Sequence, residues 1–130
     1  MNAASTGNRP LTLLFVSTWD AKGAWRRRIT ALDPSVEVRA WPDELGDPAA
    51  IDAALVWKPK PGLLASLPNL KLVLSLGMGV DHIFDDPHVP AGVPIVRMVD
   101  RDLIDRMSEY CSLAVLRHHR DADTYDRLQA

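Results

Sequence analysis

Five short apolar runs, each followed by a helix-forming or chain-breaking stretch, constrain this chain more than any other feature. The runs are Leu11–Ser17, Val36–Trp41, Ala54–Trp57, Leu70–Leu76 and Pro94–Val99. Each is strand-length and too short for a buried helix. Val36–Trp41 alternates polar and apolar residues with period two, as a strand does. Leu70–Leu76 is almost continuously apolar, which suits a central strand covered on both faces.

Between the runs lie helical signals. Trp19 to Leu32 reads as a helix with Trp25, Ile29 and Leu32 on one face, stopped at Asp33-Pro34. Asp47-Pro48 reads as a cap and first-turn pair opening a short helix over 49–52. Further short helices are predicted over 61–67, ending before Pro68-Asn69, and over 80–84. Strands interleaved with helices make a parallel, doubly wound α/β sheet. With right-handed crossovers the order is 2-1-3-4-5, a flavodoxin-like arrangement. Asp100 caps a long last helix from about Arg101. That helix is apolar on more than one side from Leu103 to Leu116 and runs to Ala130 without a glycine or proline stop. It is expected to need partners on two faces: a further domain, or a second copy of the chain.

Totals narrow the function. The chain has 130 residues, and fifteen basic against seventeen acidic residues leave a formal net charge of −2. No basic field exists to hold nucleic acid, and Trp25-Arg26-Arg27-Arg28 reads as a solvated helix face. The single cysteine, Cys111, excludes a disulfide framework and reads as a buried small hydrophobe. Met1 to Pro10 lacks the pattern of a signal peptide, and no apolar run has bilayer-spanning length. A soluble, cytoplasmic protein with no membrane partner is expected. His82, His88, His118 and His119 form no recognised metal-ligand spacing; His82 and His88 with Asp85 and Asp86 could chelate only weakly.

In an open parallel sheet, ligands bind beyond the carboxyl ends of the strands where the winding reverses. That brings together Thr18-Trp19-Asp20, Trp57-Lys58-Pro59 and Gly77-Met78-Gly79. A dinucleotide fingerprint requires Gly-x-Gly-x-x-Gly after the first strand. Here the third position is His82 and the turn follows the fourth strand, so a dinucleotide is not expected. The Met78 and Gly79 N–H groups could instead face a small anion such as a carboxylate, with Lys58 as attractor. The other reading is a glycine turn that serves close packing alone.

Trp57-Lys58-Pro59, Gly62-Leu63-Leu64 through Leu67-Pro68-Asn69-Leu70-Lys71, and Ser75-Leu76-Gly77-Met78-Gly79-Val80-Asp81-His82 resemble the D-isomer-specific 2-hydroxyacid dehydrogenases, above all the glyoxylate/hydroxypyruvate reductase A group. Pro94-Ile95-Val96-Arg97, Arg106 to Tyr110 and Ala114 to Arg120 extend the likeness from Leu11 onward. The resemblance implies the amino-terminal, substrate-domain part of a two-domain NADH- or NADPH-dependent reductase of a small 2-oxoacid. It divides the chain into a poorly ordered start (1–10), a substrate-domain portion (11–100) and a crossover helix (101–130) leading to a nucleotide-binding domain. Catalytic and cofactor-binding residues are then expected beyond Ala130, with no metal and no bound cofactor in this stretch. Met78 stands where the resemblance leads one to expect alanine. Trp57, Lys58, Met78 and Gly79 become the substrate-binding residues, and the 103–116 helix an oligomer contact. The alternative is a free-standing flavodoxin-like module that binds small anions or self-associates without catalysis.

Overall fold

The computed structural model describes residues 9–18 and 23–129. They divide into two units, one up to Met98 and one from Val99. The first holds a five-stranded parallel sheet in the order β2-β1-β3-β4-β5. The strands are β1 Leu11–Val16, β2 Val36–Ala40, β3 Ala53–Val56, β4 Leu72–Ser75 and β5 Ile95–Arg97. Strand order and parallel direction match the reading from sequence.

β1 lies inside the sheet, and every residue after Leu11 is buried. Leu14 and Val16 join Ile51, Ala54, Val56, Leu64, Leu67, Val73 and Ile83 in one core. Leu13 and Phe15 join Val38 and Ala53 in the other. The first core is sealed. On the second face Leu55, Leu72, Leu74 and Leu76 are only half-buried. Full cover of both faces therefore does not hold within this unit. The reason lies in the winding: after β2 every crossover runs in one direction along the sheet, so these connections share one face.

Helix α1 spans Ala24–Leu32. Residues 19–22 of the longer helix expected from Trp19 lie outside the described residues. Ile29 packs on the second core and the Trp25 ring stacks on Phe15 at 6.1 Å. Leu32 is corrected: it is 88% exposed, because the helix ends there and the chain turns away at Asp33. In the basic run, Arg26 pairs with Glu44, while Arg27 and Arg28 are exposed.

The short connections are tighter than α-helices. Pro48–Ala50 and Leu64–Ser66 are single 3-10 turns. The Asp47 carboxylate accepts from the Ala49 N–H at 2.9 Å, as the capping signal implied. Helix α2, Asp81–Phe84, follows β4.

At the amino ends of the strands, the buried Asp52 carboxylate gathers three donors. It accepts from the Thr12 N–H at 3.1 Å, Arg9 at 2.7 Å and Lys71 at 2.9 Å. This ties the starts of β1, β3 and β4 together.

The second unit is a helix pair, α3 (Arg101–His119) and α4 (Ala122–Gln129). Asp100 caps α3 by accepting from the N–H groups of Asp102 and Leu103. The uninterrupted helix expected to Ala130 is corrected. The chain breaks at Asp121, whose φ is +50°; a short polar side chain tolerates that left-handed backbone. Arg117 bridges the break to Asp123 and Asp126. Cys111 is exposed, against the expectation of burial, because two helices alone enclose no core.

Candidate functional site

Strand register aligns the carboxyl edge of the sheet. Val16, Val56, Ser75 and Arg97 form one row across β1, β3, β4 and β5. The residues just beyond that row carry the chemistry. Trp57 N–H donates to the Val16 carbonyl at 2.8 Å, and Leu76 N–H to the Val56 carbonyl at 2.9 Å. The ladder thus extends one step past the strands and delivers Trp57 and Gly77 side by side.

Gly77 is glycine for a spatial reason. A Cβ there would lie 2.3 Å from Cζ3 of Trp57, so the indole packs directly on the turn's backbone. The His82 ring also meets the indole, at 4.7 Å between centroids and tilted by 52°. Lys58 adds a third contact, its Nζ 5.9 Å from the indole centroid, within cation–π range.

Lys58 holds a left-handed backbone, φ +49°, immediately before Pro59. Such a conformation is uncommon for a residue with a Cβ and costs on the order of 1 kcal/mol or more. Strain of this kind gathers at sites where a side chain must be aimed.

The turn after β4 is polarised. Its carbonyls are engaged: Gly77 accepts from Met98 N–H at 3.3 Å, Met78 from Arg97 at 3.2 Å, and Gly79 from the Ser75 hydroxyl at 3.0 Å. Gly77 N–H donates to Ser75 Oγ at 3.2 Å. The N–H groups of Met78 and Gly79 donate to no acceptor among the described residues. Gly79 is exposed. Its φ lies outside the left-handed region, and a Cβ on it would come no nearer than 3.7 Å to its neighbours, Asp81 Oδ2 being first. Neither backbone conformation nor crowding among the described residues requires a glycine there.

Two cations flank this turn, Lys58 from the β3 side and Arg97 from the β5 side. Neither has an acidic partner among the described residues. The imidazole of His82 is held below the ordinary histidine range by burial and by the Lys58 charge, against the opposing pull of Asp81 and Asp85. It is neutral at pH 7.

The four residues singled out from sequence, Trp57, Lys58, Met78 and Gly79, thus lie on adjacent strand ends. Trp19 and Asp20, expected in the same cleft, are outside the described residues. Two contributors were missed. Arg97 could have been found from strand order alone, since it ends the strand beside β4. His82 had been weighed as the residue in the third-glycine position and as a weak metal ligand with His88, not as a neighbour of Trp57. The two are employed separately: His82 packs on Trp57, while His88 bonds Asp86 through its N–H and Nδ1. No cluster of three or more metal-binding side chains exists among the described residues. No helix there is long and apolar enough to cross a membrane.

No family model matches the chain. It is 36% identical over 124 residues to glyoxylate/hydroxypyruvate reductase A of Serratia proteamaculans (strain 568), covering 92% of this chain and 39% of that protein. Two solved structures are similar. One is a D-isomer specific 2-hydroxyacid dehydrogenase from Xanthobacter autotrophicus Py2 in complex with NADPH and MES. It is 38% identical, with a TM-score of 0.77, and the match covers 92% of this chain and 39% of that one. The other is a probable 2-hydroxyacid dehydrogenase from Rhizobium etli CFN 42 in complex with NADP, HEPES and L(+)-tartaric acid. It is 33% identical, with a TM-score of 0.75, over 94% of this chain and 38% of that one. The resemblance read from sequence therefore holds across nearly the whole chain, which spans about two-fifths of the length of these relatives.

Proposed function

We propose that this chain is the substrate-binding part of an NAD(P)H-dependent reductase acting on a small 2-oxoacid such as glyoxylate or hydroxypyruvate. The substrate carboxylate docks on the Met78 and Gly79 N–H groups. The observation that carries this reading is the polarity of the turn, with three carbonyls engaged and two amides without an acceptor among the described residues. Hydrogen bonds to a carboxylate are charge-assisted and short. Lys58 and Arg97 add attraction at longer range, and Trp57 supplies an apolar wall.

Such a reductase takes its hydride from a nicotinamide cofactor. The residues of this turn do not fit one: His82 occupies the place of the third glycine, and the turn follows β4 instead of β1. The contribution of this chain is orientation. A carboxylate fixed at two points sets the direction of the neighbouring carbonyl, and good placement is worth on the order of 7 kcal/mol of barrier in favourable cases.

The apolar surface of α3 belongs to the same proposal. Met107, Tyr110, Leu113 and Leu116 are all more than half exposed, and a patch of that kind pairs with another subunit. Association of two copies through α3 is expected, and sedimentation showing a monodisperse monomer at high concentration would contradict it.

The test of the main reading is a reductase assay on the product of the complete reading frame beside the 130-residue chain. Glyoxylate reduction by the former and none by the latter is expected. Turnover by the 130-residue chain would refute the division of labour. A full-length product inert toward 2-oxoacids would refute the reductase reading.

A further inference from the structure

His82 has no task in carboxylate docking as described, yet its surroundings are specific. Its ring braces the Trp57 indole, the same indole for which Gly77 leaves room. Its Nε2 is shielded from solvent and has no hydrogen-bond partner among the described residues. The charged groups acting on it come from two elements: Lys58 at the end of β3, and Asp81 and Asp85 on α2. Lys58 is also the cation that leans over Trp57. One indole therefore joins the anion attractor to a titratable ring.

We propose that His82 is a proton-coupled positioning residue: it steadies Trp57 and takes up a proton when a carboxylate docks beside Lys58. The inference rests on the carboxylate reading of the Met78–Gly79 turn. Without a ligand, burial and the Lys58 ammonium oppose an imidazolium. A bound carboxylate offsets the ammonium, and Asp81 and Asp85 then favour the charged ring. By reciprocity, the protonated ring binds the carboxylate more tightly. The sign follows directly: affinity rises as pH falls through the region where His82 titrates.

The probe is oxamate, an unreactive 2-oxoacid mimic, added to the 130-residue chain. The Cε1–H resonance of His82, assigned by its loss in His82→Gln, is followed against pH with and without saturating oxamate. Calorimetry in buffers of different ionisation enthalpy counts protons taken up. The expected result is an upward displacement of the His82 midpoint and proton uptake on binding. Affinity should gain at least about fivefold between pH 8 and pH 5.5, and in His82→Gln the proton uptake and the pH dependence should both be lost, whatever affinity remains. Oxamate binding that leaves the His82 midpoint unmoved would overturn the inference and spare the carboxylate site. Uptake that persists in His82→Gln would assign the proton elsewhere and overturn it too. Absence of oxamate binding by the wild-type chain at every pH would defeat both.

Discussion

Gly77 and Gly79, two residues apart, are glycine for different reasons, and the difference is testable. At Gly77 an added methyl collides with Trp57. At Gly79 it meets nothing nearer than 3.7 Å among the described residues, and the proposed carboxylate is what that space would admit. Gly79→Ala should leave the fold as stable or raise stability by about 0.5 kcal/mol through the stiffer unfolded chain, while weakening oxamate binding at least tenfold. Gly77→Ala should cost about 1–3 kcal/mol and shift the Trp57 emission. Urea titration and binding read on the same two variants check both; a Gly79→Ala protein that binds as well as wild type would remove the role given to that residue. Lys58 provides the converse case. Glycine adopts its left-handed backbone without strain, so Lys58→Gly should gain up to about 1 kcal/mol and lose affinity for carboxylates. A stability loss on denaturant titration would contradict strain at Lys58. The position of Trp57, Lys58, Met78 and Gly79 at neighbouring strand ends was legible because strand order follows from the order of the apolar runs. The left-handed Lys58 was not, since before Pro59 an extended backbone is the ordinary expectation.

Among the elements, strands were read more accurately than helices. Apolar runs of four to seven residues bounded by turn-forming residues leave little choice, whereas the helical stretches over 49–52 and 61–67 contract to 3-10 turns of three residues each. Periodicity cannot separate one turn of either helix type. Leu32 misled for a related reason: position seven of an amphipathic pattern faces the core only while the helix continues. The break at Asp121 carries no proline or glycine and depends on backbone conformation alone. What locks the strands at their amino ends is Asp52. Burial raises its carboxyl, but the Lys71 hydrogen bond, the Thr12 amide and the charges of Lys71 and Arg9 outweigh it and hold it below the usual aspartate range. A carboxyl more acidic in the folded chain than in the unfolded one stabilises above the ordinary aspartate value, and that stability is lost as pH falls through the lower, folded value. Asp52→Asn should therefore cost about 1–2 kcal/mol at pH 7, and the gap from wild type should begin to narrow below about pH 4. Chemical denaturation at pH 7 and pH 3 measures it, and a gap independent of pH would deny the charge a role.

At the scale of the whole molecule, the match covers nearly all of this chain and about two-fifths of its relatives, and the proposal assigns the chain the substrate-orienting share of the work. A nucleotide cradle at 77–82 is blocked by His82, while the carboxyl edge of the sheet offers two amides, two cations and an indole. The leucines of the second sheet face are half-buried within their own unit, and α3 exposes apolar side chains. Sequence alone could not settle what covers them, because cover is a property of what is nearby in space. The proposed function rests on the turn at residue 78. Its direct measurement is a titration of the 15N-labelled 130-residue chain with oxamate, observed through backbone amide resonances. Met78 and Gly79 should move together, downfield and saturably, with the Trp57 indole N–H following at the same midpoint. Saturable shifts confined to other residues, with those two amides unmoved, would contradict a carboxylate site at this turn.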